Sequence, residues 1–484
     1  MKITLATPLT VSDLALMVGG YLTKKGDTDP IITHICTDSR EADESTLFCA
    51  IRGERVDGHD YVSKAAELGC SVFLCEKIPD RSIAASFIVV EDTVRALSAL
   101  ALARRETEMR DLSVVAITGS VGKTTTKEMT AAVLAQGMSL FKKDGNFNST
   151  IGLPLSFMEI PSDTDCAVLE MGMSARGEIA AMTAAARPGI AVVANVGSSH
   201  LEYLGTRENI ARAKLEIAQG LSAGGTLLIN GDEPLLAHLG QDFGEDLPAI
   251  PEGIRVLRVS LAGAENADYT AANITARDGG MTFDLTTPAG EWQNLYIPAV
   301  GEHLVWAASF AAAVGQLSGL TEGQVRDGLA TYRPADMRQN IRTVGGVTVI
   351  EDCYNAAPES MKAALAVLAL TAASTPNARR VAILGDMKEL GEGTVALHRS
   401  VGKAAAERGV DLLITVGELG AEIAKGALDA GMDPATVVIT GGADTYAATA
   451  DYLKTILREG DHVLFKASRS MKLETIAEAV MGNG

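Results

Sequence analysis

The sequence predicts an α/β protein of three domains: a small N-terminal α/β domain, a central parallel-sheet domain and a C-terminal Rossmann-like domain. Three observations lead there. The chain has 484 residues, room for three domains at roughly 150 residues each. Short β-branched runs alternate with helical stretches in the middle of the chain and again in its last third, the rhythm of parallel sheets covered on both faces. A glycine-rich turn stands between one such run and the helix after it, at residues 118–126.

The first unit is expected over residues 1–110. Thr10-Val-Ser-Asp13 reads as a capping box before the helical stretch Leu14–Val18, which Gly19-Gly20 would end. Phe87–Val90 is a strand-like run. Thr93–Arg105 is helical and leads into the polar segment Arg104–Asp111. The central unit is expected over residues 111–333. Its strand-like runs are Val114–Ile117, Ala167–Leu169, Ala191–Val196 and Leu227–Ile229, with helical stretches at Thr124–Gln136 and Trp306–Leu317. Residues 231–300 read as an inserted antiparallel region, and Tyr332-Arg333-Pro334 as a hinge. The third unit, residues 334–484, has strand-like runs at Val347–Ile350, Val381–Leu384, Leu412–Val416, Val437–Thr440 and Val463–Phe465. Helical stretches between them make a doubly wound sheet.

Composition narrows the function. Hydrophobic residues are 47% and charged residues 21%, ordinary values for a soluble globular chain. The net charge of −19 argues against a nucleic-acid surface, which would be basic. It leaves room for a small anion in a local pocket. Apolar runs such as Ala363–Ala373 fall short of the ~18 residues a membrane span needs. Asp13 interrupts what would be a signal-peptide core, so a cytoplasmic chain is expected. The six cysteines are too sparse for a disulfide scaffold, and without a Cys-x-x-Cys pair or a His cluster they read as structural.

Thr118-Gly119-Ser120-Val121-Gly122-Lys123-Thr124-Thr125-Thr126 carries the chemistry. Between a strand and a helix, such a turn aims backbone N–H groups and a helix N-terminus at an anion. Lys123 would supply a charge for the β- and γ-phosphates and Thr124 a hydroxyl for Mg²⁺. The loop is a short Gly-x-x-Gly-Lys-Thr form, with Ile117 where the longer pattern has its first glycine. Glu170 closes the run Ala167–Leu169, and His200 follows Ala191–Val196. Both fall at the expected C-terminal edge of the same sheet, where open α/β sheets bind ligands.

Longer blocks extend this. They include Gly145-Asn146-Phe147-Asn148, then Gly152 and Pro154; Glu170-Met171-Gly172, then Gly177-Glu178-Ile179; and Asn195-Val196-Gly197, His200-Leu201-Glu202, Gly205, Glu208, Ala213-Lys214 and Glu216. Together with the loop they resemble the Mur ligase family over almost the whole chain.

The resemblance implies a P-loop ATPase-like central domain with ATP and Mg²⁺ as cofactors. Gly119–Thr125, Asn146, His303, Arg338, Asp352 and Asn355 would hold the nucleotide, with Asp352 on the ribose and Arg338 on the phosphates. Thr124, Glu170, His200 and Lys214 would hold the metal, Lys214 as a carbamate formed with CO₂. Lys123, Lys214, His200 and Arg338 would be catalytic. Gly385-Asp386-Met387, Glu389-Leu390-Gly391 and His398, with Lys466, Ser468 and Arg469, resemble the branch that joins D-alanyl-D-alanine to a UDP-N-acetylmuramoyl-tripeptide. Ser39, Arg40, Gly53-Glu54-Arg55, Asp57 and His59 resemble its UDP-sugar segment, and Asn148 would also meet substrate. The implied reaction is ATP-dependent amide formation through an acyl phosphate for peptidoglycan synthesis, by a monomer with no nucleic-acid partner and no membrane span. Near the end of the central domain Gly301 and His303 keep the family pattern, but Leu304 and Ala307 stand where Asn is common.

Overall fold

A computed structural model describes residues 1–482 except 24–25, 54, 238 and 240–249. It contains three sheets, of six, nine and six strands. In the first, parallel strands Ile31–Cys36, Thr46–Cys49, Val72–Cys75 and Ser86–Val89 are flanked by antiparallel Lys2–Thr10 and Tyr21–Thr23. The capping box forms as expected: Thr10 and Asp13 close the start of helix Val11–Met17. Asp92 caps helix Thr93–Glu106.

The nine-stranded sheet places Ile190–Val193, Ser113–Thr118 and Cys166–Glu170 side by side and parallel. Both faces are covered. Val115 and Ile117 pack on one side, under helices Lys123–Leu134 and Glu302–Leu317. Val114 and Ala116 pack on the other, under helix Glu178–Ala186. This alternation is the two-residue period of a strand buried on both faces. The region expected as an antiparallel insertion differs in the structure. Thr226–Asn230 and Arg255–Ser260 continue the parallel sheet, and the meander Tyr269–Arg277, Gly280–Thr287, Gly290–Ile297 extends the same sheet. Its Phe283, Leu285 and Leu295 join the core beneath helix Glu302–Leu317, so that core, rather than a separate one, specifies its register.

The third sheet runs Asn340–Val344, Val347–Glu351, His462–Lys466, Arg380–Gly385, Leu412–Val416, Val437–Thr440, parallel except for its first strand. All five expected strands are present. The six cysteines are buried and free. Among the described residues no helix is long and apolar enough to cross a membrane.

Arg104 departs from the polar linker expected around it. It is only 2% exposed and donates to the carbonyls of Phe157 at 2.8 Å and Ile160 at 2.6 Å. Helix Gly152–Phe157 brings Leu155, with Met158 beyond it, into the core of the N-terminal sheet, and Ala6 N–H donates to Met158 O at 3.0 Å. The first two sheets are therefore fastened to each other. Arg104→Ala strips two buried carbonyls of a charged donor and should destabilise this junction by about 3 kcal/mol. The check is the shift in the first urea transition of the full chain, and an unmoved midpoint would refute the fastening.

Candidate active site

The phosphate loop leaves the middle of the three adjacent strands. Gly122 has φ +81°, a left-handed turn open to glycine at little cost, and it starts helix Lys123–Leu134. Asn195, just past the neighbouring strand, braces the loop. Its Oδ1 accepts from Ser120 N and Val121 N, both at 2.9 Å, and its Nδ2 donates to Val121 O at 2.7 Å. Lys123 Nζ folds back to Gly119 O at 2.8 Å. Burial lowers the Lys123 ammonium's pKa, opposed by Glu170 and assisted by Arg338.

On the other flanking strand, Glu170 accepts from Thr124 Oγ1 at 2.7 Å and Asn148 Nδ2 at 2.8 Å. Burial would raise its pKa, but Lys123, these two bonds and Arg338 hold it below the usual carboxylate value. An ionised carboxylate beside a threonine hydroxyl and a phosphate loop suits a hard cation that shares its shell with phosphate oxygens. Among the described residues no three acidic, His or Cys side chains gather as a ready-made metal cage.

Lys214, on helix Arg207–Leu215, is 2% exposed. Burial, and then Lys123, push its pKa well below the ordinary value. Among the described residues no acid pairs with it. His200 caps the short helix Leu201–Leu204 in a left-handed conformation, φ +67°. Its Nδ1 lies 2.7 Å from Glu389 Oε2 of the third domain, off the axis of a ring N–H.

The third sheet faces this edge across a cavity of about 540 Å³. From it come Asp352, at the end of strand Val347–Glu351, and Asn355. Arg338 stacks on Tyr354, its guanidinium carbon 4.1 Å from the ring centre. His303, at the cleft wall, is surrounded closely enough that desolvation takes its imidazole down to about 4, with Asp352 opposing. Leu304 and Ala307 line the cleft beside Trp306. Glu359, from the first turn of helix Pro358–Ala372, crosses to accept from Ser198 N at 3.0 Å and Ser198 Oγ at 2.7 Å.

Other expected contacts are placed differently. Asn146 is exposed on the loop after strand Leu140–Lys142 and lies outside the cleft lining. Lys466, expected at the substrate, lines the same cleft as Asp352. It is buried, and its Nζ donates to Asp352 Oδ2 at 2.6 Å and Asn355 O at 2.9 Å. Asp386, Met387, Leu390, His398 and Ser468 are buried within the third domain. Asp386 accepts from Leu419 N and Gly420 N and caps the helix that follows. His398 Nε2 accepts from Met387 N at 2.9 Å while Nδ1 faces Thr394 O at 2.7 Å. Ser468 Oγ accepts from Lys388 N. These side chains are consumed by protein partners and shape a loop rather than form its outer surface.

His398→Ala, which leaves the buried Met387 N–H unpaired, should cost about 2 kcal/mol of stability. Thermal unfolding checks this, and an unchanged midpoint would restore a surface role.

In the N-terminal domain Ser39 is buried, and His59 is held between Asp57 Oδ1 at 2.6 Å and Glu76 N at 2.9 Å. Arg40 is exposed and pairs with Asp38 at 2.5 Å. Gly53 N bonds Val56 O at 2.9 Å, while Glu54 lies outside the described residues. Arg469 is half exposed and pairs with Glu474. Sequence reasoning assigned no role to Asn195, Ser198, Trp306 or Glu359. Only Asn195 carried a signal, as part of the Asn195-Val196-Gly197 block.

Fold and site together define a three-domain, nucleotide-dependent ligase. Residues 31–107 match the Mur ligase family catalytic domain, 117–315 the Mur ligase middle domain and 337–469 the Mur ligase glutamate ligase domain. The chain is 38% identical to the UDP-N-acetylmuramoyl-tripeptide–D-alanyl-D-alanine ligase of Bacillus subtilis over 97% of each chain. A crystal structure of MurF from Acinetobacter baumannii superposes with a TM-score of 0.85 at 29% identity, covering 99% of this chain and 100% of that one. MurF from Thermotoga maritima in complex with ADP superposes at 0.77, with 29% identity over 92% and 96%. The chain belongs to the Mur ligase family.

Proposed function

We infer that the chain is an ATP-dependent amide ligase. It adds D-alanyl-D-alanine to UDP-N-acetylmuramoyl-tripeptide in peptidoglycan synthesis, using ATP and Mg²⁺. The observation that carries this reading is the cleft itself. A phosphate loop with Lys123 and Thr124, the latter backed by Glu170, forms one wall, and Asp352 and Arg338 from the third domain form the other.

The reaction has two steps. A peptide carboxylate oxygen bonds to the γ-phosphorus and ADP leaves. The dipeptide amine then attacks the acyl carbon, phosphate leaves and the nitrogen loses a proton. Phosphoryl transfer needs chiefly alignment and charge neutralisation. The loop amides and Lys123 meet the phosphates from the central domain, and Arg338 meets them from the third. On this reading Asp352 meets the ribose, and Asn355 and His303 line the same cleft. Thr124 and Glu170 would hold Mg²⁺, joined by His200 and by Lys214 as a carbamate, and the ion would neutralise phosphate charge. With the nucleotide enclosed between two domains, water is kept from the acyl phosphate.

Residues 1–110 would bind the UDP-sugar, 111–333 the ATP and 334–484 the dipeptide. Arg40, Gly53, Asp57 and Arg469 are left to meet substrates, framed by the buried residues beside them, and Asn148 meets them through Glu170. On this reading the chain acts in the cytoplasm as a monomer. The test is ADP release by purified protein. It should require UDP-sugar tripeptide, D-alanyl-D-alanine and Mg²⁺ together. Equal release without the dipeptide would make the chain a nucleotide hydrolase instead.

A further inference from the structure

The segment Gly197–Glu202 of the central domain is gripped by the third domain at two points. Glu359 bonds Ser198, as described, and Ser199 Oγ in turn donates to Ser120 O of the phosphate loop at 3.3 Å. The second grip is the turn Glu389–Gly391. Glu202 N donates to Glu389 O at 3.2 Å. Gly391, with φ +60°, lies so close that a Cβ there would come within 3.2 Å of Glu202 Cα. This backbone seam sets the Glu389 carboxylate 2.7 Å from His200 Nδ1. His200 and Glu389 both have left-handed backbones, at φ +67° and +64°. Non-glycine residues adopt that conformation rarely, and it concentrates where structure serves a site. Nδ1 is buried and, among the described residues, has no aligned hydrogen bond, the Glu389 carboxylate at 2.7 Å being its near neighbour, and no hydrogen bond of Nε2 to a described residue is found. The ring thus has one nitrogen against a carboxylate of another domain and the other unbonded among the described residues.

A histidine that binds a metal through one nitrogen commonly gives its other N–H to a carboxylate, which fixes tautomer and ring direction. We propose that Glu389 is the positioning residue of His200, holding Nδ1 and leaving Nε2 to the metal, so that this arm of the metal site is complete only when the third domain is docked. The proposal rests on the reading of His200 as a ligand. It gives a role to a carboxylate that reaches out of its own domain to His200. Metal affinity and docking of the dipeptide-binding domain then depend on the same contact.

The test is a Mn²⁺ titration of the full chain with ADP present and both acceptors absent, read from the electron spin resonance signal of free Mn²⁺. Glu389→Ala should weaken Mn²⁺ binding about 10–100-fold. Glu389→Gln, whose amide oxygen can accept the same N–H, should stay within about threefold of wild type. His200→Ala should show the same loss as Glu389→Ala, and the double variant no more than His200→Ala alone. Thermal unfolding of each variant confirms that it is folded. Wild-type affinity in Glu389→Ala, equal weakness in the Gln and Ala variants, losses that multiply in the double variant, or no effect of His200→Ala would each overturn the proposal. Because no acceptor is present, failure of the ligase assay leaves this result standing, and the reverse also holds.

Discussion

Replacing Lys123 by alanine should lower kcat about 10³-fold, equivalent to about 4 kcal/mol of transition-state stabilisation. Lys123 is the cation of the phosphate loop, and it sits where desolvation magnifies its effect on developing phosphate charge. Its ammonium already rests on Gly119 O, so it is aimed before any nucleotide arrives. Preorganisation of this kind acts on the transition state more than on binding. The loss should therefore appear in kcat, with the affinity for ADP changed much less. Steady-state ADP release together with an ADP binding titration separates the two. Near-normal turnover in the variant would remove the loop from catalysis.

Lys214→Ala should bring a loss of similar size, about 10³-fold if its removal equals that of one preorganised charged group, with a different signature. A buried lysine without an acid partner is held toward its neutral form, because desolvation disfavours the charge. A neutral amine can add to CO₂ and lose a proton to become a carbamate. That converts a cationic position into an anionic oxygen ligand. An exogenous short carboxylate such as acetate should then restore part of the activity of Lys214→Ala and none of that of Lys123→Ala. The variant should also be no less stable than the parent, since it removes a costly buried charge site. Absence of rescue across a range of carboxylates would remove the carbamate. Rescue with a large loss of stability would mean that the lysine also supports the fold.

Much of this architecture is written locally. The strands around the phosphate loop are short apolar runs buried on both faces, so periodicity and turn residues find them. The loop itself is legible because strand, glycines, lysine and helix occur in register. What stays hidden depends on partners distant in the chain. Asn195 braces amides 75 residues before it, and Lys466 reaches Asp352 across 114 residues. Nothing near either residue announces the bond. His59, Asp386 and His398 look like substrate contacts because polar residues in motifs usually face ligands. In the fold each spends its hydrogen-bonding capacity on other protein groups, and a sequence does not show which way a side chain turns. The meander at residues 269–297 reads as an insertion because its antiparallel rhythm changes. Only its apolar face, spread over the core of the central sheet, shows that it belongs there.

The junction around Arg104 has a consequence for how the parts are held. Its guanidinium holds two main-chain carbonyls of the central domain, and Leu155 and Met158 of that domain pack into the core of the N-terminal sheet, so the two domains are joined by buried contacts. On the proposed assignment the acceptor end and the phosphate end of the reaction are linked through this junction. The third domain meets the central one through hydrogen bonds at Ser198 and Glu202. Acyl phosphate formation then depends on contacts made when the chain folds, and amide formation on the arm that carries the amine.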